Sequence, residues 1–168
     1  MAPVSRIRAN GADAVNGKVV YDYPKMLWNL SMVLSAITLA PLTFNFAALS
    51  LFIVSTYFFL LIGHSAGMHR LMIHQTYDCH PMVEKVLIYI GVLVGMAGPY
   101  GVIHIHDLRD WAQRQPRCHE FFSHKRRFWC DLWWQLTSKF EFENAPQIEI
   151  ETKYRDDPYY QWLESSWQ

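Results

Sequence analysis

From Met26 to His69 the chain carries no Asp, Glu, Lys or Arg, a run of 44 residues, most of them apolar. A membrane-crossing helix needs roughly 20 such residues, so the run is long enough for two spans and a tight turn. The turn is predicted at Ala40–Asn45, where Pro41 breaks one helix and Thr43 and Asn45 suit the cap of the next. Span one is expected over residues 26–40 and span two over 46–62. Two buried helices of a soluble bundle would also be apolar all round. A charge-free run of this length argues against that alternative. A third apolar stretch, Val86 to Ile103, holds late glycines and Pro99, which predict a break before His104; it reads as a further span or as a helix dipping partway into the membrane.

The flanks are polar. Residues 1–25, interrupted by Gly11 and Gly17, read as a loosely ordered lead-in with a basic bias. After Asp107 the chain mixes charge with Trp111, Phe121, Phe122, Phe128, Trp129, Trp133 and Trp134, the composition of a membrane–water interface. Residues 140–158 read as a loop or short strand. Asp157 and Pro158 then suit the N-cap and first position of a last helix. The expected fold class is all-α: integral membrane helices, a transmembrane hairpin plus a third apolar helix, with an aromatic-rich amphipathic region on the cytoplasmic side. The expected organisation is a lead-in at 1–25, a hairpin at 26–62, a histidine-containing region at 63–139 and a loop and helix start at 140–168.

Charge settles orientation and excludes one partner class. Basic residues precede the first span, Arg70 and Lys85 follow the second, and the turn has none. The positive-inside rule therefore puts the N-terminus and the histidine region in the cytoplasm. Fifteen basic residues balance fifteen acidic ones, so no overall field points to nucleic acid. Cys79, Cys118 and Cys130 form no CxxC pair, which argues against a disulfide scaffold and for a reducing compartment. The N-terminus lacks the apolar stretch and cleavage site of a signal peptide.

All eight histidines lie between His64 and His124. Imidazole is the commonest protein metal ligand, and ionisable groups beside a bilayer are functional candidates by default. The plainer reading is histidines at headgroup level. His64, His69 and His74 are spaced by five. On an α-helix five residues advance by roughly 500°, so His69 and His74 are expected to point about 140° apart and to serve one ion each of a two-metal cluster. His104 and His106 are two apart, so at most one faces a given site. Asp107 and Asp110 are candidate partners that fix imidazole orientation, and Asp110 is also a candidate ligand. His119 and His124 repeat the spacing of five.

GHSAGMHRLMIHQTY, Gly63 to Tyr77, resembles the first histidine box, HxxxxH within GHxxGxHRLxxHxxF/Y, of the integral-membrane fatty acid desaturases. That box follows a transmembrane hairpin, as here. The family's second box, HxxHH, falls at HIHDLRD, where His106 matches its first histidine while Arg109 and Asp110 replace the other two. The run through HDLRDWAQRQPRCH is similar to a bacterial subgroup with an altered second box, and DDPYYQWLESSW resembles the segment opening the second hairpin. The resemblance spans most of Met26–Gln168 and about the first half of a usual desaturase. The third box lies beyond that half, so an N-terminal portion, inactive alone, is expected.

The resemblance implies two iron ions on histidine ligands, O₂-dependent insertion of a double bond into an acyl chain carried on CoA or lipid, and an electron-donor protein of the cytochrome b5 or ferredoxin type. The implied partners also include membrane lipid. The implied location is a bacterial inner membrane in preference to the endoplasmic reticulum. His69, His74 and His106 lead the ligand set, with His119, His124, His104 and Asp110 behind them and His64 outside the first shell. A membrane hydroxylase or alkane monooxygenase uses similar boxes, and a non-catalytic metal-binding membrane protein is the reading from another class. Haem between helices is disfavoured, because the run from Met26 to Ile62 holds no histidine.

Overall fold

The computed structural model describes residues 6–166. They form a mostly helical chain with short β pairings: β1 (Ile7–Arg8), β2 (Gly17–Tyr21), α1 (Tyr23–Thr43), α2 (Phe46–Phe58), a π-helix (Phe59–Ile73), α3 (Pro81–Val92), α4 (Pro99–Arg114), α5 (Glu120–Ser123), α6 (Phe128–Thr137), β3 (Ser138–Phe142), β4 (Gln147–Ile148), α7 (Thr152–Arg155) and α8 (Pro158–Ser166). The chain separates into two compact units. Of the described residues, one takes 6–7, Phe46–Asp107 and 148–166; the other takes Arg8–Asn45 and Leu108–Gln147.

Among the described residues two helices are long and apolar enough to cross a membrane: Tyr23–Thr43, 21 residues, and Phe46–Ile73, 28 residues. Neither α1 nor α2 has a single buried residue. Leu42, Phe46 and Leu51 are at least 70% exposed. Such apolar helices cannot remain bare in water, and lipid is the solvent that suits them. The spans are longer than expected. Pro41 lies inside α1, which continues to Thr43, and the second helix runs on past Ile62 to Ile73, with His74 at its C-cap. Asp22 caps α1 by accepting from the Lys25 amide at 3.3 Å.

The all-α expectation is corrected by the lead-in. Residues 17–21 are not loose: β2 pairs antiparallel with β3, Gly17 opposite Phe142 and Tyr21 opposite Ser138. The alternating Lys-Phe-Glu-Phe of β3 and the β-branched and aromatic Val-Val-Tyr of β2 suit such a ladder. Phe140 and Phe142 from β3 pack face-on and edge-on against Phe121, Phe122 and Trp111 to make the aromatic core of this unit. The same unit anchors the start of α1, where Lys25 Nζ and Asn29 Nδ2 donate to the carbonyls of Ser138 and Leu136 at 2.8 and 2.9 Å.

The other unit is built around the π-helix and α3. Its core holds Met68, Met72, Ile88, Val92, Ile103, Tyr154 and Leu163. The 86–103 run divides between α3 and α4, with Gly95 at φ 77° in the break, which lies before His104 as the late glycines predict. Asp157 caps α8 as expected, accepting from the Tyr159 amide at 2.8 Å. The π-helix meets α3 through Gly63 and Gly67, a small-xxx-small pair that lets backbones approach. A Cβ at Gly63 would lie 2.5 Å from the Gly91 nitrogen, and one at Gly67 would lie 2.6 Å from the Leu87 carbonyl oxygen. Both obstacles are backbone, so neither can rotate away. Gly63→Ala or Gly67→Ala is therefore expected to destabilise the protein by about 1–3 kcal/mol, the usual cost of overpacking. Thermal unfolding in detergent against the wild type measures this.

Candidate metal centre

The geometry of the site begins with the backbone over Phe59–Ile73. Its ladder runs from residue i to i+5, as in His74 N–H donating to the His69 carbonyl at 3.0 Å. Such a helix takes more than four residues per turn, so residues five apart return close to the same side. This overturns the expectation of divergent side chains, which assumed an α-helix. His69 and His74 instead meet, with Nε2 to Nε2 at 3.1 Å and ring centroids 4.5 Å apart.

α4 brings the third imidazole. The His106 ring lies 5.1 Å from that of His69 and 4.9 Å from that of His74. One ring nitrogen from each of the three falls within 4.8 Å of the others, and no other such group forms among the described residues. Several contacts fix α4 at this point. Val102 and Ile103 are buried in the core. The Glu164 carboxylate accepts from the Tyr100 and Gly101 amides at 2.7 and 3.3 Å, satisfying the helix N-terminus. At the other side of His106, Asp107 Oδ1 sits 3.3 Å from His106 Nδ1. That contact fixes the tautomer and leaves Nε2 for an ion, as carboxylate–histidine–metal arrangements do. Burial pushes the Asp107 carboxyl up, but the His106 contact and the Arg6 charge outweigh it and hold it below the usual carboxylate range.

The three imidazoles fit a transition-metal ion. Nitrogens bound to one ion at about 2 Å lie roughly 3–3.5 Å apart, the separation of the His69 and His74 Nε2 atoms. A set of imidazoles suits iron, zinc, copper or nickel. His64 lies one π-turn before His69 and has a buried Nδ1 with no hydrogen-bond partner.

The remaining histidines and Asp110 sit elsewhere. His104 is exposed on α4. Asp110, His119 and His124 belong to the other unit, each with a local partner: Asp110 pairs with Arg114 at 3.1 Å, His119 Nδ1 accepts from the Phe121 amide at 3.2 Å, and His124 Nδ1 contacts Asp131 at 2.8 Å.

Two contributors escaped the sequence reading. Arg6, in the supposedly loose lead-in, is 5% exposed and reaches Asp107, and Glu151 receives Arg6. They are separated by 145 residues, so no local pattern announces the pair.

No family model matches this chain, and no solved structure does. Among curated proteins it is 24% identical over 155 residues to an sn-1 stearoyl-lipid 9-desaturase of Anabaena variabilis, covering 90% of this chain and 55% of that protein. It is 25% identical over 130 residues to an sn-2 palmitoyl-lipid 9-desaturase of Nostoc sp. (strain 36), covering 75% of this chain and 45% of that protein. The chain is a distant relative of acyl-lipid desaturases. It spans about half the length of the curated relatives it matches.

His119 generates a pH prediction. Its ring packs 4.5 Å from that of Phe140, and burial, opposed by Glu120, holds its pKa below the ordinary value. The folded state then binds fewer protons than the unfolded one, so this contribution is fully present above about pH 6.5 and is lost as pH falls from there through the folded pKa. Thermal unfolding between pH 8 and 5 should show wild-type stability falling on acidification, with a shallower slope for His119→Asn.

Proposed function

We propose that this chain carries the first metal-binding part of a membrane acyl-chain desaturase. The observation that supports this most is the convergence of His69, His74 and His106 at the end of a 28-residue apolar helix, in a chain distantly similar to acyl-lipid 9-desaturases. In this reading the three imidazoles hold iron, and Asp107 keeps His106 in the binding tautomer. Three imidazoles serve one ion. Asp110, His119 and His124 form no second such group among the described residues.

Iron, when bound, supplies the O₂-dependent oxidation of an unactivated C–H bond, which side-chain acid–base chemistry cannot attack. The protein's part is placement. The apolar surface of the second span offers an acyl chain a lipid-side approach. Arg70 in the last turn of that span and Lys85 beyond it favour a cytoplasmic side for the histidines in this reading. Removing two hydrogens and taking both atoms of O₂ to water requires two more electrons and two protons. An electron-donor protein of the cytochrome b5 or ferredoxin class, docking from the water side, supplies the electrons. The substrate class is a fatty acyl group on a membrane lipid or on CoA.

A graft tests this reading in a complete enzyme. Gly63–Tyr77 is exchanged for the matching segment of the Anabaena stearoyl-lipid desaturase, and cellular lipids are analysed for the new double bond. The graft is expected to keep activity within about tenfold of the parent. His69→Ala or His74→Ala in the graft should reduce it by at least about 100-fold, at or beyond the limit of outer-shell changes. Activity that survives both substitutions would sink the ligand assignment. A hydroxylated chain without unsaturation would point to a different oxidation.

A further inference from the structure

We infer that Arg6 is a positioning residue for the histidine centre; this rests on the metal-binding reading above. Its guanidinium uses every face of its fork. Nε donates to Glu151 Oε2 at 2.7 Å, Nη1 to Asp107 Oδ2 at 3.2 Å, and Nη2 to the carbonyls of Met72 and Ile73 at 3.0 and 3.1 Å. Each contact leads towards a ligand. Asp107 holds His106 through its other oxygen. The Met72 and Ile73 carbonyls end the π-helix immediately before His74, where the helix has no partners of its own to offer. Glu151 also accepts from Gln75 Nε2 at 3.0 Å. Gln75 follows His74 and sits at φ 47°, a left-handed conformation that a side chain adopts only when its surroundings impose it. One buried cation thus joins the two segments that carry His74 and His106.

The grip is electrostatically balanced and sterically specific. A charge this buried persists only when paired, and Asp107 and Glu151 supply the pairing. A planar fork meeting four acceptors is beyond a lysine ammonium, which has three donors and no fixed plane.

The test is cobalt(II) titration of the purified full chain in detergent, following affinity and the ligand-field absorption. Arg6→Gln is expected to weaken cobalt binding by about tenfold and to alter the absorption, as outer-shell changes do. Asp107→Asn is expected to weaken binding as well, and the double variant to lose less than the product of the two single losses, because Arg6 and Asp107 share the path to His106. Arg6→Lys keeps the charge but not the planar fork, so it is expected to weaken cobalt binding by about fivefold and to alter the absorption. Unchanged binding in Arg6→Gln, or losses that multiply in the double variant, would overturn the inference while leaving the metal centre standing. Absence of cobalt binding by the wild type would instead remove the metal-binding reading itself. Where Arg6→Gln does not fold, as judged by circular dichroism, Arg6→Lys decides: no change in affinity or absorption then overturns the role.

Discussion

A backbone bonded from residue i to i+5 comes back to nearly the same side every five residues, and Phe59–Ile73 is built on that repeat. The spacing of His69 and His74 brings their two rings together only on such a helix. In α geometry two of these imidazoles would diverge, and a third from α4 could join only one of them. In π geometry His69 and His74 stand together, and His106 completes a triangle of rings. The glycines at 63 and 67 serve the same end by bringing the backbone of α3 against this helix.

Extended π-helices are rare, so their loose ends must be held. Here the terminal carbonyls find partners one by one. His69 and Arg70 are served by the amides of His74 and Thr76, and Met72 and Ile73 by Arg6. Tyr77 reaches back to the Ala66 carbonyl at 2.9 Å. The same helix is lipid-suited at one end and ionic at the other. Its apolar half needs no polar partner outside its own backbone, while its last turn meets a buried network of Arg6, Asp107 and Glu151. That gradient places the three imidazoles at the boundary between the apolar helix and the ionic network.

Much of this was legible in the sequence, for reasons that differ by element. The charge-free run announced two apolar helices, because lipid-facing surface is a matter of composition. Asp157 and Pro158 announced α8, because capping chemistry is local. Asp107 was foreseen beside His106, because adjacent residues can share a hydrogen bond. The π-register was not legible: spacing by five is compatible with several backbones, and periodicity assuming α geometry separated His69 from His74. The β2–β3 ladder and the Arg6–Glu151 pair were missed because each joins residues more than a hundred positions apart. Pro41 misled in another way, since a proline near the end of a lipid-exposed helix interrupts its bonding without stopping the chain two residues short.

The most direct measurement is X-ray absorption at the iron edge on the purified, iron-loaded chain. The account predicts a coordination shell with imidazole scattering from three or more histidines on the bound iron. A shell of oxygen ligands with no more than one imidazole, or a chain that retains no iron, would contradict it.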